Sequence, residues 1–193
     1  MLSAMYGNSD LVSLLLDKGA NIEAKEENHL SSLMILVMSG HEDIVSLLLS
    51  RGANVEVKDK DGNTPLIVAT ESNHENVVPL LLARGANIEA KNQNGCTPLL
   101  IATDKGNKEI ASLLLDKGAD IEARDLNGLT PLLIATDKGN REIVSLLLDK
   151  SANIEARDQN GRTALLIATD KKNKDMISLL LAKGADREAK MPE

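Results

Sequence analysis

Residues 92–124 read NQNGCTPLLIATDKGNKEIASLLLDKGADIEAR and residues 125–157 read DLNGLTPLLIATDKGNREIVSLLLDKSANIEAR, identical at 26 of 33 positions. The segment running from Lys117 to Arg124 returns in close variants starting at Lys18, Arg51, Arg84, Lys150 and Lys183. Leucine triplets keep the same spacing, at 14–16, 47–49, 80–82, 113–115, 146–148 and 179–181. A fixed period of about 33 residues is the mark of a repeat architecture. It divides the chain into one array: a partial unit 1–25, full units 26–58, 59–91, 92–124, 125–157 and 158–190, and a tail 191–193.

One unit can be read residue by residue. Asn94-Gly95 predicts a tight turn, because glycine takes positive φ without a steric penalty. Thr97-Pro98 predicts a helix start: the hydroxyl caps, and proline in the first turn gives up no needed hydrogen bond. A short helix over 99–105 follows, and Gly106-Asn107 turns the chain. Asn107 is placed to cap a second helix, with Glu109 in its positive first turn. Ile110, Leu113 and Leu114 form an apolar stripe, Gly118 ends the helix in the left-handed region, and 120–124 is expected to run extended. Neither helix is long enough to persist alone in water, so stacking against neighbours must supply the stability.

Composition agrees. Of 193 residues, 42% are apolar and 26% charged, ordinary for a folded soluble chain, but Tyr6 is the only aromatic residue. The core must therefore be a thin layer of Leu, Ile, Val and Ala. A net charge of −7 argues against phosphate-backbone binding, and the lack of aromatic platforms argues against stacking on single-stranded bases. No nucleic-acid partner is expected. Apolar runs are far shorter than the roughly 20 residues of a membrane helix, so no membrane insertion is expected. Cys96 stands alone, and 1–10 lacks a basic, leader-like start. Both favour a reducing compartment, cytoplasmic or nuclear.

The stretch Asp59-Lys60-Asp61-Gly62-Asn63-Thr64-Pro65-Leu66, continuing to His74 and through Leu80-Leu81-Leu82-Ala83-Arg84-Gly85-Ala86-Asn87, closely resembles the ankyrin repeat. The resemblance covers nearly the whole chain. It implies an all-α repeat fold, an ankyrin-type solenoid of stacked antiparallel helix pairs joined by projecting β-turn hairpins. It also implies binding of other proteins through hairpin tips and first helices, which line a concave groove, with no catalytic activity. Two departures stand out. The family's histidine after Thr-Pro-Leu is replaced by Met34, Ile67, Leu100, Leu133 and Leu166, so apolar packing is expected there. The family's hairpin asparagine, hydroxylated in some members, is Glu23, Glu56, Glu89, Glu122, Glu155 and Glu188; that modification has no amide to act on here.

Irregular units carry further expectations. Pro79 occupies a second-helix position held elsewhere by Ser46, Ser112 and Ser145 and removes one backbone donor. Ser151 replaces a terminating glycine, His29 a turn glycine, and Ser31-Ser32 the Thr-Pro pair. Met1 aligns inside a first helix, and Leu11, Val12, Leu14 and Leu15 look like an internal unit, so the chain is expected to be a fragment of a longer array. Ala164, Lys172 and Arg187 suit a solvent-facing last unit.

Candidate chemistry is sparse. His41 and His74 share the capping position of Asn107, Asn140 and Asn173, and isolated histidines make no metal signature. Cys96 reads as a plain exposed thiol, with no base at catalytic spacing. No nucleotide loop or hydrolase motif occurs, so neither a cofactor nor a metal is expected. The partner-binding candidates are the variable tips and the ends of the first helices. Tip residues are Lys60, Asp61, Asn63, Gln93, Cys96, Leu126, Leu129, Gln159 and Arg162. Helix-end residues are Glu71, Asp104, Lys105, Asp137, Lys138, Asp170 and Lys171. Their charges make either a solvated mixed face or a rim that steers a partner of alternating charge. Leu126 and Leu129 are either isolated exposed leucines or a hydrophobic anchor rimmed by Gln93, Asp137 and Arg162. The expected function is a non-enzymatic scaffold, a monomeric array holding a protein or extended peptide. The alternative is a targeting module of a larger enzyme whose catalytic domain lies outside these residues.

Overall fold

The computed structural model describes residues 8–25 and 30–188. Tyr6, the alignment of Met1, the turn at His29 and the tail at 191–193 lie outside them. Two compact units are present, 1–93 and 94–193. Among the described residues there are eleven helices and no strand longer than the isolated bridge between Lys25 and Ser31.

The first unit holds α1 (Ser9–Asp17), α2 (Ser32–Ser39), α3 (Glu42–Ser50), α4 (Pro65–Glu71) and α5 (Val77–Ala83). The second holds α6 (Pro98–Lys105), α7 (Lys108–Asp116), α8 (Pro131–Lys138), α9 (Arg141–Asp149), α10 (Ala164–Asp170) and α11 (Lys174–Ala182). In the second unit α6 packs on both α7 and α8, α8 on α9 and α10, and α9 on α7 and α11. In the first, α2 packs on α3 and α4, and α3 on α1 and α5. First helices thus stack on first helices and second on second, as the period requires.

Local chemistry sets each boundary. Thr97, Thr130 and Thr163 each accept the backbone N–H three residues on, from Leu100, Leu133 and Leu166, at 3.4 Å. Ser31 does the same for Met34 at 3.3 Å, so the Ser-Ser variant still caps. Asn107, Asn140 and Asn173 cap the second helices through Ile110, Ile143 and Met176 at 2.8, 3.1 and 3.0 Å. His41 precedes α3 without such a bond. Met34, Ile67, Leu100 and Leu133 are buried where the family carries histidine, and the Thr hydroxyls there serve backbone amides instead. The segment 120–124 is not simply extended as expected. The Ala123 N–H closes a turn on the Asp120 carbonyl at 3.1 Å, and the Asp120 carboxylate takes the Glu122 N–H at 2.9 Å.

Pro79 costs less than a mid-helix proline because α5 begins late. The chain turns through Glu75 and Asn76, and the helix starts only at Val77, leaving seven residues instead of the nine of α3 or α7. Pro79 then falls within the first turn, where backbone donors have no helical acceptor.

Ser151 and Lys172 hold φ of +67° and +54°, a region that side chains with a Cβ enter at a cost. Gly118 sits at +89° in the position matching Ser151, with nothing within 4 Å of where a Cβ would stand, so that cost is conformational alone. Ser151→Gly and Lys172→Gly are each expected to stabilise the chain by about 1 kcal/mol. Urea midpoints of the two single variants and their combination would check this, the combined gain being the sum.

Candidate functional site

Three of the hairpin tips are built on an acidic residue, Asp59, Asp125 or Asp158, that the tip-by-tip comparison of the sequence passes over. Asp59 accepts the N–H groups of Asp61 and Asn63 at 2.9 and 2.8 Å, and its other oxygen takes the Asn63 amide at 3.0 Å. Asp125 binds the N–H groups of Asn127 and Leu129 at 2.9 and 2.8 Å. Asp158 binds those of Asn160 and Arg162, both at 2.9 Å, and also the Arg162 guanidinium at 2.8–2.9 Å. Burial pushes the Asp158 carboxyl up, but the Arg162 and Asn160 contacts outweigh it and hold the group below the ordinary carboxylate value. The signal for these residues was their period: Asp59, Asn92, Asp125 and Asp158 stand 33 apart.

Tips are tied to the tips before them. Within the first unit the Gln93 amide donates to the Lys60 carbonyl at 2.8 Å, the Gln93 N–H to the Asp61 carbonyl at 3.0 Å, and the Asn92 amide to Asn63 at 3.1 Å. Within the second unit the Gln159 amide donates to the Leu126 carbonyl at 2.7 Å. Lower in the hairpin runs a second seam. Glu23, Glu56, Glu122 and Glu155 each accept a backbone N–H 31 residues on, from Asn54, Asn87, Asn153 and Asp186, at 2.7–2.8 Å. These carboxylates therefore serve the stack.

Four of the helix-end charges are likewise paired. Lys138 meets Asp104 at 2.7 Å and Lys171 meets Asp137 at 2.8 Å, each pair joining adjacent first helices. The hydrogen bond from Asp104 and its charge hold the Lys138 ammonium above its ordinary value. Along the second helices Lys150 meets Asp116 at 2.7 Å, and Lys183 bonds Asp149, holding that carboxyl below its usual range. Glu71, Lys105 and Asp170 are the exposed last residues of α4, α6 and α10.

The two leucines separate. Leu126 is 66% exposed, its side chain lying over the backbone of Gly95. Leu129 is half-buried and packs with Cys96 against Leu100, Ala123 and Ile134, and also against the main core of the second unit. Of the proposed rim, Asp137 is paired with Lys171 and Arg162 with Asp158, while Gln93 belongs to the first unit. Cys96 is half-buried rather than plainly exposed. Burial, then Asp125 and Asp104, push its thiol up, away from the thiolate a nucleophile needs. Among the described residues no group of His, Cys, Asp and Glu is placed to hold a metal ion, and no helix is long and apolar enough to cross a membrane.

Short helix pairs, capped alike and stacked through the same contacts every 33 residues, with tips that differ, define a helical repeat protein. A model of ankyrin repeats in three copies matches residues 1–92, 58–125 and 122–191, and the chain belongs to the ankyrin repeat family. Among solved structures it is similar to the ankyrin repeat domain of Bcl-3, described as a unique member of the IkappaB protein family. The TM-score is 0.90 at 29% identity, covering 98% of this chain and 87% of that one. No curated protein matches in sequence. Repeats of this family are protein-interaction modules, without catalytic chemistry of their own.

Proposed function

We propose that the chain is a monomer-scale interaction scaffold, cytoplasmic or nuclear, that holds a protein or extended peptide on its hairpin tips and first helices. The units 26–58, 59–91, 92–124, 125–157 and 158–190 act as its successive modules. The observation that carries this reading is Leu126: a large apolar side chain set outward on a tip whose backbone is hydrogen-bonded on both sides. A rigid tip loses little freedom on binding, so the apolar contact is not spent on ordering. The free thiol of Cys96 supports a reducing compartment.

The paired charges of Asp104, Lys138, Asp137 and Lys171 present little net field, so affinity should rest on apolar contact and change little with salt. Peptides enriched from a random display library against the whole chain supply a defined ligand. Leu126→Ala is expected to weaken them about tenfold with no change in thermal midpoint. Leu129→Ala is expected to lower stability by about 1–2 kcal/mol, its side chain being part of the core wall. Unchanged peptide affinity in Leu126→Ala would remove the tip from the site.

A further inference from the structure

The start of α5 is fastened differently from the starts of the second helices in the other unit. There Asn107, Asn140 and Asn173 stand directly before α7, α9 and α11, and each accepts an N–H of its own helix. His74 holds the same place in the period but turns away from its helix. Its ring Nε2–H donates to the Met38 carbonyl, 36 residues earlier, at 2.9 Å. The ring lies so close over Gly40 that a Cβ there would stand 2.6 Å from it. The His74 carbonyl takes the N–H groups of both Val77 and Val78, at 3.0 and 3.3 Å, and Asn76, the residue before α5, gives no side-chain cap. Pro79 keeps the helix from starting sooner: it has no N–H for the Glu75 carbonyl, and its ring would crowd that carbonyl in helical geometry. An open cleft of about 290 Å³, lined by Gly40, Asn73, His74, Glu75, Asn76 and Val77, runs alongside.

We infer that residues 73–78 form a strap, latched by the His74 ring onto the preceding repeat, that opens locally and frays α5 while α4 stays folded. Local opening is easiest where few buried contacts and solvent-exposed backbone bonds hold a segment. Asn73, Glu75 and Asn76 are exposed and His74 is half-buried. Release of the ring from Met38 and Gly40 frees the residue whose carbonyl closes the first turn of α5. With no side-chain cap behind that turn, the opening runs on into the helix and uncovers Val77 and Val78, 1% and 0% exposed when the strap is shut. In α7, α9 and α11 the same fraying has first to break a cap bond of 2.8–3.1 Å. Asparagine there reaches the preceding glycine as well: the Asn140 amide lies 3.1 Å from where a Gly106 Cβ would stand. His74 thus gives up the cap for a bond across repeats, and the two halves of that exchange can be reversed separately.

Native-state hydrogen exchange of the whole chain, read amide by amide by NMR, tests this. Leu81 and Leu82 in α5 match Leu147 and Leu148 in α9, and Ala69 and Thr70 in α4 match Ala135 and Thr136 in α8. The α5-to-α9 rate ratio should exceed the α4-to-α8 ratio by about tenfold, a comparison that cancels any difference in overall stability between the two units. His74→Ala removes the latch and should speed the α5 amides about a further fivefold, leaving those of α4 unchanged. His74→Asn combined with Pro79→Ser supplies a cap and the missing donor, and should bring the two ratios together. This second variant adds bonds to the fold, so it carries the test if His74→Ala unfolds the first unit. Equal ratios in the wild type would mean that α4 and α5 open as one and would overturn the inference. So would α5 rates unchanged in a folded His74→Ala chain, or not slowed in the double variant.

Discussion

Leu147→Ala is expected to cost about 3 kcal/mol, while Leu15→Ala costs about 1 kcal/mol or less, although both residues hold the same place in the 33-residue period. Leu147 is 0% exposed and Leu15 41%. Leu147 sits in a layer shared by α8, α9, α10 and α11, touching a cluster that includes Leu133, Ile167, Met176 and Leu180. Its truncation leaves a cavity whose walls belong to several helices, none able to collapse without moving the others. The loss is therefore felt across the second unit and should appear as one lowered urea midpoint rather than as a separate early phase. Equal costs at the two positions would mean that a unit stabilises itself, and that adjacency contributes little.

Asp158→Ala is expected to cost roughly 2–3 kcal/mol. The Asp158 side chain is only 2% exposed and holds two backbone N–H groups and the Arg162 guanidinium. Arg162 is partly open to water and recovers some solvation once freed, which keeps the cost below that of a wholly buried pair. The sign of the pH dependence follows from the direction of the shift. The folded carboxyl is held below its unfolded value of about 3.9, so its contribution is complete above that pH and is lost as the pH falls through the lower folded value. The gap in stability between the wild type and Asp158→Ala should accordingly be constant near neutrality and narrow on acidification below about pH 4. A gap that widens in acid would show that the carboxyl binds its proton more tightly when folded.

What could be read from sequence was whatever repeats. The Thr caps, the Asn caps of the second helices and the glycine terminators each follow from residue type and local spacing, and the structure places them as expected at Thr97, Asn107 and Gly118. Contacts between units were legible only in part. The role of Glu122 was not legible because its donor partner, the N–H of Asn153, is a backbone group with no signature in the sequence. Arg124 escaped notice for the same reason, its guanidinium bonding the carbonyls of Gly128 and Arg157. Leu126 and Leu129 were indistinguishable as residues in one turn. Three positions separate them, enough for the Asp125 turn to direct one outward and the other against Leu100 and Ile134. The late start of α5 was likewise hidden: Pro79 announced a missing donor, but not that Glu75 and Asn76 would leave the helix to accommodate it.

The seam formed by Glu23, Glu56, Glu122 and Glu155 binds amides common to every residue but proline. Adhesion along this seam is thereby indifferent to the identity of the side chain at the donating residue, and drift at that position leaves the seam bond in place. An engineer could exploit the same indifference, varying exposed tip side chains such as Leu126 while keeping the anchors Asp59, Asp125 and Asp158.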